Sequence, residues 1–108
     1  MLTEPQIRDA LRDCYDPEVP LNIVDLGLVY RVTLTDDPDA PGLTPKQKVS
    51  IDLTLTSPGC PAHEQIAAQI LNRLAGIQGL SKSSVQLVWE PKWNPERISE
   101  AGRKQLGI

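Results

Sequence analysis

Val49-Ser50-Ile51-Asp52-Leu53-Thr54-Leu55-Thr56 is the stretch from which the fold is read. Valine, isoleucine and two leucines alternate with serine, aspartate and two threonines. That is the period-two pattern of a strand with one face on a core and the other in water. Directly after it, Ser57-Pro58-Gly59 is turn-prone. A helical pattern then runs over 61–75, with Ile66, Ile70, Leu71 and Leu74 as its apolar stripe and Gly76 and Gly79 punctuating its end. Upstream, the chain turns strand-like from Ile23. Leu28, Tyr30, Val32 and Leu34 alternate with Val29, Arg31, Thr33 and Thr35, while Asp25-Leu26-Gly27 interrupts the start and suggests a bulge or a close backbone approach. The two strands are expected to pair across an exposed connection, 36–47, that is longer than usual and rich in proline. Downstream, Val85, Leu87 and Trp89 alternate until Pro91 breaks the run.

The flanks read as helices. Thr3 can cap a first helix, Gln6 can close the capping box and Leu2 can staple onto Ile7. Ile7, Ala10, Leu11 and Cys14 form one stripe, so Cys14 reads as a small buried hydrophobe. The prolines of Asp16-Pro17-Glu18-Val19-Pro20 end that helix. Asn94-Pro95-Glu96 opens a last helix carrying Ile98, Ala101 and Leu106. The order is αββαβα in one domain, 1–108. Its class is α/β (α+β), with helices packed on one small mixed or antiparallel sheet.

Composition narrows the function. The net charge of -3 argues against binding nucleic acid through its backbone. Up to Thr44 there are three basic and nine acidic residues, and beyond it eight basic and five acidic, so each half carries its own electrostatic face if the halves separate in space. No apolar run approaches the roughly 20 residues of a membrane span, and the N-terminus lacks the pattern of a secretory signal. A cytoplasmic, membrane-free protein is expected. Two cysteines and one histidine are too few for a closed structural zinc site within one chain.

The candidate chemistry centres on Cys60. A thiol between a strand end and a helix start meets free N–H groups and positive potential, which favour thiolate. The bland alternative is a cysteine packed beneath the turn. His63, one turn on, is a second soft ligand, a base or a solvated helix residue. Asp16, Glu18 and Asp25 form a second candidate, a carboxylate loop suited to hard cations, although Asp16 can equally cap a turn. The sequence contains no phosphate-binding glycine loop, serine-hydrolase elbow or zincin motif. Trp89 reads as core. Trp93, outside the strand, is either core or an anchor for a protein partner.

DPEVPLNIVDLGLVYRV (16–32), LTLTSPGCP (53–61) and VQLVWEPKWNPERISEAGRKQLGI (85–108) together resemble the small SufT/PaaD-like proteins of iron–sulfur cluster assembly. The eukaryotic cytosolic targeting factors of that pathway carry a similar domain. The resemblance implies a fold of the iron–sulfur assembly domain type and a carrier or adaptor role, not an enzyme. It assigns Asp16, Pro17 and Glu18 to an acidic loop, Asp25, Leu26 and Gly27 to a DLG motif, and Thr56, Cys60 and Pro61 to a threonine–cysteine motif. Cys60 is the residue it nominates for cluster handling. The cysteine-rich C-terminal region of the phenylacetate-pathway members is absent, which favours the general SufT-like role. A cluster usually takes four thiolates, so one cysteine per chain requires a homodimer, an external thiol or a client protein to supply the rest. The alternatives are a metal-free adaptor with a structural Cys60 and, third, a thiol enzyme pairing Cys60 with His63.

Overall fold

The computed structural model describes residues 2–17, 19–40, 42, 45–56 and 62–107. Its elements are α1 (Glu4–Leu11), β1 (Val29–Asp37), β2 (Lys46–Leu53), α2 (Ala62–Ala75), β3 (Leu80–Leu87), a 3-10 turn (Pro95–Arg97) and α3 (Glu100–Leu106). The sheet is mixed, in the order β1-β2-β3, with β1 and β2 antiparallel and β2 and β3 parallel. The parallel pair needs a crossover, and α2 supplies it.

Local rules account for the element ends. Gln6 Oε1 accepts from the Thr3 N–H at 2.8 Å at the start of α1. Asn94 Oδ1 caps the 3-10 turn by accepting from the Glu96 N–H at 2.9 Å. Ser99 Oγ caps α3 by accepting from the Gly102 N–H at 3.0 Å. The single last helix expected from Asn94 is therefore two elements, because Ile98 is extended (ψ 131°) and Ser99 opens a second N-terminus. The third strand also differs from its expected place. It begins at Leu80, and at its end Val88 donates to the Leu53 carbonyl at 2.8 Å before the chain leaves the sheet. Trp89 is consequently 39% exposed and not core.

Ile7 and Leu11 of α1, Ile51 and Leu53 of β2, and Ile66, Ile70 and Leu74 of α2 are fully buried together, with Leu21, Ile23, Leu26 and Leu28 from the α1–β1 connection. The acidic and basic halves of the sequence thus share one core and one sheet. Cys14 is 1% exposed, in keeping with a small hydrophobe.

Candidate functional site

The acidic loop follows α1 and folds back on itself. Tyr15 and Asn22 form an isolated antiparallel bridge, and Ile23 donates to the Cys14 carbonyl at 3.0 Å. Within the loop Asp16 is 4% exposed, and its Oδ1 accepts from the Val19 N–H at 3.2 Å, the turn-capping use of an aspartate. Pro17 is exposed. Glu18 lies outside the described residues. The loop is fastened to α2: Gln69 accepts from the Tyr15 N–H and donates to the Tyr15 carbonyl, both at 2.9 Å, and Arg73 Nε lies 2.8 Å from Asp13 Oδ2. From Asp13 to Tyr15 the chain therefore runs antiparallel to α2, toward the end at which that helix begins.

Asp25-Leu26-Gly27 has a structural task. Asp25 Oδ2 accepts from Asn22 Nδ2 at 2.7 Å and Oδ1 from Ser99 Oγ at 2.9 Å, while its carbonyl accepts from the Ser99 N–H at 2.8 Å. The Asn22 bond, joined by Ser99 and the nearby Arg12, outweighs burial and holds the Asp25 carboxyl below the ordinary value. Leu26 offers its carbonyl to Trp93 Nε1 at 2.7 Å. Gly27 has φ 80°, and a Cβ there would collide with the Arg97 carbonyl. The motif is thus the dock of the C-terminal segment, and each Asp25 oxygen accepts a hydrogen bond. Trp93 is correspondingly half-buried against the core with its indole N–H engaged.

Cys60 and Pro61 lie outside the described residues. The elements that bracket them end at Thr56, a half-buried bend after β2, and resume at Ala62; His63 is half-buried in the first turn of α2. Thr54 was not singled out by the sequence pattern, because alternation assigns it to the solvent face. It is 1% exposed instead, since the ladder ends at Leu53 and the Thr54 N–H turns to the Leu28 carbonyl at 2.8 Å. Among the described residues its hydroxyl oxygen has no hydrogen-bond partner. Burial, with a smaller push from Asp13, raises the Cys14 thiol pKa above its ordinary value, which disfavours the thiolate. No three metal-ligating side chains come together among the described residues.

Residues 4–87 match the family described as iron-sulfur cluster assembly protein. The chain belongs to that family. A relative from Porphyromonas gingivalis called Fe-S protein maturation auxiliary factor is 37% identical over 106 residues, covering 98% of this chain and 92% of its own. The Staphylococcus aureus Fe-S protein maturation auxiliary factor SufT is 38% identical, covering 86% of this chain and 96% of its own. A crystal structure of a domain of unknown function from Bacillus anthracis superposes with a TM-score of 0.81 at 34% identity, covering 97% of this chain and 92% of that one. The resemblance read in the sequence and the mixed-sheet fold are both borne out. The family match ends at residue 87, so the segment docked on Asp25-Leu26-Gly27 lies beyond it.

Proposed function

We propose that this chain acts in iron–sulfur protein maturation as a non-enzymatic carrier or adaptor that helps deliver clusters to client proteins. Cys60 is its soft ligand or transient attachment point, and Asp16 and Glu18 belong to the same surface. Membership of the family supports the pathway. The observation that carries the site is the fastening of the acidic loop to α2 through Gln69 and Arg73, which directs the loop toward the end of the helix that follows Cys60. The buried Thr54 hydroxyl lies just past the end of β2, on the way into the same junction. The cluster is cargo, and with one such thiol per chain a second copy, an external thiol or the client completes its ligand set. Among the described residues no helix is long and apolar enough to cross a membrane.

Anaerobic reconstitution with iron and sulfide tests this, reading visible absorption and bound iron for wild type, Cys60→Ser and Asp16→Ala. A chromophore lost in Cys60→Ser is expected. Equal iron in wild type and Cys60→Ser, or none in folded wild type, sinks the carrier. A metal-free adaptor with a structural Cys60 is the second reading, favoured by the 39% exposure of Trp89. It requires Cys60→Ala to lose stability and Trp89→Ala to weaken capture by the assembly machinery.

A further inference from the structure

A cleft of about 550 Å³ opens beside the first residues of β1. Arg8 of α1, Arg31 of β1 and Arg97 of the 3-10 turn line it, together with Asp52 of β2, Glu90 and Tyr30. Arg8 is committed elsewhere: its Nε lies 2.9 Å from Glu4 Oε1 and its Nη1 donates to the Val29 carbonyl at 3.3 Å. Arg31, Arg97, Asp52 and Glu90 enter no ion pair among the described residues. Arg31 and Asp52 are directly opposite each other across the β1–β2 ladder, so the cleft presents charges of both signs side by side.

Part of this arrangement is preformed. The Arg97 guanidinium sits 4.7 Å from the centroid of the Tyr30 ring, a cation–π contact at the lining of the cleft. The Tyr30 hydroxyl in turn donates to the Pro91 carbonyl at 2.7 Å. The Arg97 backbone rests on Gly27, where any side chain would displace it. A guanidinium held this way, as that of Arg97 is, suits paired hydrogen bonds to a carboxylate. A bare polyanion would be opposed by Asp52 and Glu90, and a simple cation by the arginines. A ligand that itself carries both signs satisfies all four, and the volume is on the scale of small-ligand pockets.

We propose that this cleft binds a small zwitterionic peptide, its carboxylates on Arg31 and Arg97 and its ammonium on Asp52 and Glu90. The test uses the full chain without metal, titrated with the tripeptide Ala-Ala-Glu with free termini. Calorimetry and amide chemical shifts are the readouts. Saturable binding is expected, with shifts in residues 27–31 and at Arg97. N-acetylation of the peptide, Arg31→Gln, Arg97→Gln and Asp52→Asn should each weaken binding about ten-fold. Lys48→Gln, outside the cleft, should leave it unchanged. Amide spectra of each variant establish that it is folded. No saturable binding at millimolar peptide overturns the proposal. So does equal binding of the acetylated peptide or of tricarballylate, an anion without ammonium, or undiminished binding by folded Arg31→Gln and Arg97→Gln. Because the protein is metal-free in this assay, its failure leaves the iron–sulfur reading standing, and failed cluster reconstitution leaves this one.

Discussion

At the level of single residues, the DLG motif shows how a carboxylate that reads as a metal ligand becomes a clamp. Asp25 accepts from Asn22 and Ser99, and these bonds hold its carboxyl below the ordinary carboxylate value. A depressed carboxylate adds stability that is present above its unfolded value and lost as the pH falls through its folded value. Asp25→Asn should therefore lose about 2 kcal/mol near neutrality, typical of hydrogen bonds to a charged group, in urea unfolding. The deficit should vanish in strong acid; a deficit that persists there contradicts the clamp. Gly27→Ala combines a left-handed backbone with a collision against the Arg97 carbonyl, and a loss of about 2 kcal/mol or more is expected. The two thiols should also separate. Buried Cys14 should resist iodoacetamide in native protein, whereas Cys60, at its strand–helix junction, should react first, with that phase missing in Cys60→Ser. The burial of Cys14 was legible from the apolar stripe, although α1 itself ends at Leu11 and Cys14 lies beyond the helix. Asp25 was not, because its partner Ser99 is 74 residues away.

Among the elements, two attachments hold the candidate surface together. The acidic loop hangs on α2 by the oxygen and the nitrogen of the Gln69 side-chain amide, so Gln69→Ala should speed amide exchange at Tyr15, Asp16, Leu21 and Asn22 while costing about 1–2 kcal/mol globally. Unchanged exchange would mean that the loop is held by other contacts. α3 gives a case of opposed effects. Gly→Ala within a helix ordinarily stabilises by about 1 kcal/mol. At Gly102, however, the new Cβ would lie 2.8 Å from Leu21 Cδ2 and 3.0 Å from Ile98 Cγ2. Overpacking of about 1–3 kcal/mol prevails, and Gly102→Ala should lower the midpoint of thermal unfolding. The strand and helix patterns gave these elements their type and order. They misplaced β3 and merged the 3-10 turn with α3, because strand ends follow pairing with β2 and the break at Ile98 follows docking on Asp25.

Across the whole molecule, the acidic and basic parts of the sequence interleave through the β1–β2 pairing and the Arg73–Asp13 contact. The ion pairs involve largely exposed side chains and contribute little each, so stability should change by under about 1 kcal/mol in high salt. Both tryptophans lie in the segment tied to Leu26 and Asp25. Unfolding followed by tryptophan fluorescence and by far-ultraviolet circular dichroism should then coincide in one transition. The sequence by itself determined the class of fold, the order of elements, the buried Cys14 and the family, because each rests on spacing within a short window or on contiguous motifs. Only the tertiary structure decided that Asp25 and Gly27 serve as a dock, that Thr54 is buried and that Trp93 turns inward while Trp89 faces out. It alone gathered Arg31, Asp52, Glu90 and Arg97 into one cleft. Those outcomes depend on which distant segments meet, and long-range packing and hydrogen bonding fix that where local periodicity carries no record of it.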